Sequence, residues 1–266
     1  MYDRYNRHIH YLRISVTDRC NLRCRYCMPE EGVQLMHHED MLSYEEIIDV
    51  VKAASLLGID KIRLTGGEPL IRKGITDLVA MIAGVPGIKD ISLTTNGFFL
   101  KEFAHALKRA GLQRVNISLD TMHPGRYSRI TRGGDITRVL EGIHAAREAG
   151  LDPVKINCVV FKSSDEEDAV MVREYAMREG LKVRFIRQMD LETGEFSEVE
   201  GGEGGNCSRC NRLRLTANGM VKPCLFSDQE FSVRHLGAEQ ALNRALQAKP
   251  LKGCFSVTGK FYNIGG

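Results

Sequence analysis

Short apolar runs rich in β-branched residues recur six times between residue 12 and about residue 187, each followed by a turn and a stretch of helical period. Residues 12–17, 61–64, 90–94, 115–119, 154–160 and 183–186 read as strands. Ser43 suits a helix N-cap with Glu45 and Glu46 in the first turn, and Gly58, Gly111 and Gly150 stand where helices stop before the next strand. Such βα alternation gives a parallel sheet with right-handed crossovers, either open and doubly wound or curled towards a barrel. Six units without a nucleotide-binding glycine fingerprint after the first strand predict an α/β fold, a partial (βα)6 TIM-like barrel, whose chemistry collects on loops at the C-terminal strand ends.

After Met189 the pattern lapses into a Glu/Gly-rich stretch, residues 192–205, that reads as a linker or flexible crossing. The predicted division is a barrel over residues 1–190 and a small C-terminal module over 191–266, with a helix near 238–248.

Composition adds little to the fold and more to the setting. The 43% hydrophobic and 27% charged content is that of an ordinary globular protein, and no apolar run approaches the ~20 residues of a membrane span. The first 13 residues are charged where a secretory signal would be apolar, so a cytoplasmic protein with reduced thiols is expected. A net charge of +3 is too small to argue for a nucleic-acid partner. Eight cysteines in a reducing compartment then point to metal ligation or catalysis before disulfides.

Three of them form Cys20-x3-Cys24-x2-Cys27 on the loop after the first strand. Three thiolates can hold three irons of a cubane cluster and leave the fourth open, and an open metal position is a reactive one. A zinc site completed by His37 or His38, or a ferredoxin-like carrier, is the bland alternative, although a ferredoxin wants four cysteines. A second trio, Cys207-x2-Cys210-x13-Cys224, has no obvious fourth ligand unless Cys254 or His235 completes it. Its spacing alone leaves a zinc knuckle, a closed auxiliary cluster and an open cluster as alternatives.

The first trio, with Tyr26 before its third cysteine, resembles the signature of the radical SAM superfamily, whose members cleave S-adenosylmethionine (SAM). Thr65-Gly66-Gly67-Glu68-Pro69, Thr94-Thr95-Asn96-Gly97 and Ser118-Leu119-Asp120, at successive strand ends, resemble the places where that superfamily touches SAM. Tyr26, Gly66, Gly67, Glu68, Thr94, Asn96, Ser118 and Met189 are the SAM-binding positions this implies, with Glu68 answering the ammonium.

Residues 12–20, Lys155-Ile156-Asn157, Arg184-Phe185-Ile186, the run from Cys210 to Thr216, Lys222 to Phe226 and the terminal Gly265-Gly266 resemble the GTP 3',8-cyclase family of molybdenum cofactor biosynthesis. The resemblance implies two 4Fe-4S clusters, one on Cys20, Cys24 and Cys27 and one on Cys207, Cys210 and Cys224. It implies that a 5'-deoxyadenosyl radical takes the hydrogen from C3' of GTP, and that the C3' radical attacks C8 to give (8S)-3',8-cyclo-7,8-dihydroguanosine 5'-triphosphate. Arg13, Arg212, Arg214, Gly265 and Gly266 match active-site positions of the family. Lys61, Arg63, Lys155 and Arg184 match its triphosphate-binding positions, where arginine forks and lysine point charges suit phosphate oxygens.

Implied partners are GTP and an electron donor such as a flavodoxin or ferredoxin, with a homodimer left open and no membrane. The family carries a much longer segment between the strand ending near Met189 and the second trio than the residues 190–206 found here. That difference predicts a more open cavity, or one closed in another way. It leaves a related radical enzyme acting on another nucleotide or a peptide as the rival reading, and a non-catalytic iron-sulfur or zinc protein as the rival of another class.

Overall fold

A computed structural model of the chain describes residues 1–189 and 196–253. Six strands, β1 (Tyr11–Ser15), β2 (Lys61–Thr65), β3 (Asp90–Thr95), β4 (Arg114–Ser118), β5 (Val154–Val160) and β6 (Lys182–Arg187), pair in sequence order and all in parallel. Helices α1 (Tyr44–Leu56), α2 (Ile75–Ala83), α3 (Leu100–Arg109), α4 (Pro124–Thr131), α5 (Ile136–Glu148) and α6 (Glu167–Arg178) fill the crossovers, two of them between β4 and β5. The partial barrel expected from the βα alternation is the architecture found.

The helix ends follow the local chemistry. Ser43 and Glu46 form a reciprocal capping box at the start of α1. Gly58, Gly111 and Gly150 take φ of 89°, 108° and 74°, a left-handed conformation that lets each chain turn back towards the sheet.

Three further strands continue the same sheet. β7 (Arg212–Leu215) lies parallel to β1 on the side opposite β2, and β8 (Met220–Lys222) and β9 (Phe231–Ser232) follow it antiparallel. The short α7 (Val233–Leu236) and α8 (Ala238–Gln247) complete the described chain, α8 packing against α1. β7, β8 and β9 therefore share a sheet with the barrel.

Residues 196–205 are not a free linker. Glu200 makes both backbone hydrogen bonds of an antiparallel bridge with Phe185 on β6, at 3.0 and 3.1 Å, which answers the open edge of that strand. Phe196 stacks on Phe226, centroids 4.6 Å apart. The glycine content read as flexibility serves close approach instead: a Cβ on Gly201 would stand 2.6 Å from the Val183 carbonyl, and one on Gly205 2.1 Å from the Ser197 carbonyl.

One face of each parallel strand carries the core. Leu12, Ile14, Ile62, Leu64, Leu93, Val115 and Ile117 are all buried beneath the helices. The alternate positions face the concave side of the sheet. Among the described residues no helix is long and apolar enough to cross a membrane.

Candidate functional site

The concave face is where the sequence departs from an ordinary barrel, whose interior is packed with branched apolar residues. Here the inward positions of β1 are Tyr11, Arg13 and Ser15, those of β2 Lys61, Arg63 and Thr65, and those of β7 Arg212 and Arg214. Parallel register puts Arg13 beside Arg63 on one side and Arg214 on the other, and Tyr11 between Lys61 and Arg212. Across the sheet, Asn157 is level with Arg184, and Lys155 lies between Asn116 and Lys182. All seven basic residues expected to hold an anionic substrate thus line one concavity.

Tyr11 is its centre. Buried to 4% exposure, it has Lys61 Nζ 5.2 Å from its ring centroid, with the guanidiniums of Arg63 and Arg212 at 5.4 and 5.6 Å. Burial pushes the phenol's pKa up, but Arg13, Arg63, Arg212 and Arg214 outweigh it and bring it below the ordinary value. Burial, and then the neighbouring arginines, push Arg13 well down, and Arg214 down to about 10.

Asp90 pairs with Lys61 at 3.6 Å and with Arg114. Arg63 donates to Ser92 Oγ at 3.2 Å, and Arg184 reaches Asn116 Oδ1 at 3.4 Å. The Tyr11 hydroxyl, Asn157 Oδ1, Arg184 Nε and Arg212 Nε are buried without a hydrogen-bond partner among the described residues. Such a concentration of cation and orphaned polar atoms costs stability unless an anion answers it, so the concavity fits a polyanion with polar edges.

The first cysteine trio sits above the C-terminal end of β1. Backbone bonds from Cys27 N and Met28 N to Cys24 O, at 2.9 and 3.0 Å, fold the loop into a tight turn. The three thiols sense one another: burial first, then Cys27, Asp120 and Cys20, push the half-buried Cys24 far up. Adding cationic iron removes that mutual repulsion and lets thiolates form, so the donor set fits a cluster. Among the described residues, no three His, Cys, Asp or Glu side chains converge on one point as a single-ion site.

Gly66 and Gly67 hold this loop. Gly67 N donates to Thr17 O and Glu68 N to Arg19 O, both at 2.8 Å. A Cβ on Gly67 would meet the Arg19 carbonyl at 2.2 Å, and one on Gly66 the Thr17 carbonyl at 2.6 Å, so what these glycines admit is the cysteine loop itself. Glu68 is fully buried, and its carboxylate accepts from Leu70 N, Thr95 Oγ1 and Asn96 N at 2.9, 2.8 and 2.7 Å. In this structure the carboxylate ties the loop after β2 to the end of β3, and burial raises its pKa to about 7 against those bonds.

Asn96 continues the link, with Nδ2 at 2.9 Å from Asn21 Oδ1 and 3.8 Å from Cys20 Sγ. Tyr26 donates to Asp120 Oδ2 at 2.7 Å, while Asp120 Oδ1 takes Val159 N at 2.8 Å. Thr94, Ser118 and Met189 stand at the same rim, at the ends of β3 and β4 and just beyond β6. Replacing Gly67 with alanine is therefore expected to displace the Cys20–Cys27 loop, lowering stability by about 1–3 kcal/mol. Thermal melting and iron content should both fall.

The second trio lies at the opposite end. Cys210 precedes β7, and Cys224 follows β8, which runs back along β7, so both stand at the N-terminal end of the strand parallel to β1. A five-residue strand at ~3.3 Å per residue separates the two trios by about 15 Å or more, with the arginines between them.

Sequence reasoning missed Lys249, which is 1% exposed and donates to the carbonyls of Arg212 and Pro223 at 2.7 and 2.8 Å. Burial raises Cys210, but Lys249 and Arg212 more than offset it, and the thiol's pKa falls. For Cys224 burial prevails over Lys249 and Arg214, and the pKa rises. Tyr11 was also missed, although its spacing from Arg13 placed it on the same face. His235 is exposed on α7, while Cys254, Gly265 and Gly266 lie outside the described residues.

The short segment after β6 reaches both edges of the concavity. A Cβ on Gly202 would stand 3.2 Å from Arg184 Cδ, and the Glu203 carbonyl accepts from Arg212 Nη2 at 3.4 Å. It thus crosses the seam between β6 and β7, the route by which a shorter segment still covers part of the opening.

Comparison with known proteins accords with this geometry. The sequence profile of the radical SAM superfamily matches residues 14–176. A GTP 3',8-cyclase of Pelotomaculum thermopropionicum is 43% identical over 295 residues, covering 93% of this chain and 91% of the relative. One from Moorella thermoacetica is 45% identical over 279 residues, covering 88% and 86%. Both alignments are longer than the 266 residues here, so each relative carries residues with no counterpart in this chain. Among solved structures, Streptococcus suis SuiB bound to its precursor peptide SuiA superposes with a TM-score of 0.69 at 14% identity, over 92% of this chain and 66% of SuiB, a likeness of fold alone. A second solved structure, anSMEcpe with bound AdoMet, gives a TM-score of 0.55 at 20% identity, over 70% of this chain and 51% of that one.

Proposed function

The chain belongs to the radical SAM superfamily and, within it, to the GTP 3',8-cyclase family, and on that premise we propose that it cyclises GTP inside the arginine-lined concavity. The observation that carries this reading is the polarity of the barrel interior. Seven basic side chains converge between two cysteine trios, in a space that such folds ordinarily fill with apolar residues.

In this reading Cys20, Cys24 and Cys27 hold one 4Fe-4S cluster and Cys207, Cys210 and Cys224 a second. Held by the first trio, a cluster would supply the one-electron reduction that SAM cleavage needs. The loops bearing Gly66, Glu68, Thr94, Asn96, Ser118 and Met189 form the SAM-facing rim. Within it the carboxylates of Glu68 and Asp120 keep the cysteine loop in place, through Asn96 and Tyr26.

Lys61, Arg63, Lys155 and Arg184 would grip the triphosphate. Arg13, Arg212 and Arg214 would stand beside the base and ribose, where their charge would favour electron density developing on the guanine. Excluding water from the concavity strengthens each of these interactions. An electron donor of the flavodoxin or ferredoxin kind and a cytoplasmic, reducing location suit the exposed Cys27 and the free thiols.

Lys155 makes the triphosphate reading sensitive to pH. Burial, followed by Arg184, Arg114, Lys182 and Arg63, lowers its pKa to about 8. Between about 8 and the ordinary lysine value the unfolded chain binds more protons than the folded one. This residue's penalty on stability is therefore present below about pH 8 and is relieved as pH rises above it. Anion binding has the opposite sign. The KM for GTP should climb as pH passes through about 8, and Lys155→Met should flatten that profile; an unchanged profile would remove Lys155 from the triphosphate site.

Composition gives the direct test of the two centres. Anaerobically reconstituted protein should hold ~8 irons and matching sulfide per chain, lost on exposure to air together with colour. A chain isolated with zinc and no iron would overturn the reading.

A further inference from the structure

A fully buried lysine needs a reason, because transferring its charge from water is costly and lysine is seldom found so deep without a partner. Lys249 directly follows the C-cap of α8 and is 1% exposed. Its ammonium donates to the carbonyl of Arg212, two residues past Cys210, and to that of Pro223, the residue before Cys224. The Cys210 and Cys224 thiols lie near enough to interact with it electrostatically.

Arg7 fastens the rest of the frame. It is ion-paired to Asp3 at 2.6 Å and donates to the carbonyls of Cys207 and Pro250, each at 2.7 Å, so the chain at Cys207 and beside Lys249 is held by one guanidinium. Carbonyls orient the ammonium but do not neutralise it. The groups facing it that carry or can carry charge are the Cys210 and Cys224 thiols and Arg7.

We propose that Lys249 is a positioning residue for the second cluster: its ammonium ties together the strands that carry Cys210 and Cys224 and sets the charge felt by the cluster their thiolates hold. The inference rests on the two-cluster reading above. A cation beside the ligating sulfurs stabilises the reduced state of the cluster more than the oxidised state, because reduction adds negative charge next to it. Lys249 therefore holds the second cluster's potential above the value the same trio would have without it.

The test uses the full chain with Cys20, Cys24 and Cys27 replaced by alanine, so that only the second cluster contributes. Iron content and the midpoint potential, read by electron paramagnetic resonance during a redox titration, are compared for Lys249, Lys249→Met, Lys249→Gln and Lys249→Arg. The expected result is a move to more negative potential in Lys249→Met and Lys249→Gln, with Lys249→Arg nearer the parent.

Should Lys249→Met fail to fold, Lys249→Gln, which keeps a donor for one carbonyl and loses the charge, must show the shift alone. A loaded cluster whose potential ignores all three substitutions would overturn the inference and leave the two-cluster reading intact. A parent that takes up no iron at all would instead overturn the two-cluster reading, and the role of Lys249 with it.

Discussion

Cys24→Ala is expected to abolish SAM cleavage altogether, whereas Cys224→Ala keeps cleavage to 5'-deoxyadenosine and loses the cyclised nucleotide. The two thiols stand at opposite ends of the concavity, one on the turn above β1 and the other behind β8. Removing Cys24 leaves two thiolates on a loop whose closeness makes sense only around a shared metal centre, so the first cluster is lost and no electron reaches SAM. Removing Cys224 leaves that loop and the Glu68 and Asp120 bonds that hold it untouched. Chromatography of 5'-deoxyadenosine and nucleotide products from both variants checks the division. Equal loss of SAM cleavage in both would show that the two trios do not have separate tasks.

Replacing Arg63 with methionine should weaken GTP binding by about 10- to 100-fold while raising the melting temperature of the ligand-free protein. The two effects share one cause. Arg63 is 8% exposed, faces Arg13 across the register, and has a single short polar contact among those described, to Ser92 Oγ. Burial and the neighbouring Arg114 and Arg212 lower its pKa. Methionine keeps the length of the side chain and deletes the repelling charge, which relieves the empty concavity. A charged hydrogen bond to phosphate contributes about 1.5–3 kcal/mol, and its loss gives the expected fall in affinity. Calorimetric melting with and without GTP reads both terms. A variant that melts lower and binds GTP unchanged would mean that Arg63 is structural.

The regular part of the fold was legible because its signal is long and repeated. Six strands with an alternating apolar face, and helices bounded by Ser43, Gly58, Gly111 and Gly150, declare themselves by period and by end chemistry. β7, β8 and β9 did not, since runs of four, three and two residues are too short to show an alternation. What places β7 is its pairing with β1, a contact between distant parts of the chain.

The segment at residues 196–205 misled for a related reason. Gly201 and Gly205 look like flexibility in composition but serve close packing against Val183 and Ser197, which only the folded neighbours reveal. The cysteine trios and the basic strand positions were legible as residue types in a spacing. Tyr11 and Lys249 were not, because tyrosine at a strand start and lysine after a helix are ordinary on a surface, and only burial turns them into parts of a site. The work of Gly67 was half legible: the sequence marks it as a SAM-binding position by resemblance, but only the fold shows that it is pressed against the Arg19 carbonyl.

The central claim is that this concavity turns SAM cleavage on GTP. The most direct measurement incubates reconstituted protein anaerobically with SAM, a reductant and GTP deuterated at C3', and follows deuterium into 5'-deoxyadenosine, with ATP and no nucleotide as comparisons. Transfer with GTP and not with ATP, accompanied by the 3',8-cyclised nucleotide, is the predicted result. SAM cleavage at the same rate in all three reactions, with no deuterium in the product, would contradict it and leave a radical enzyme whose substrate is a different molecule.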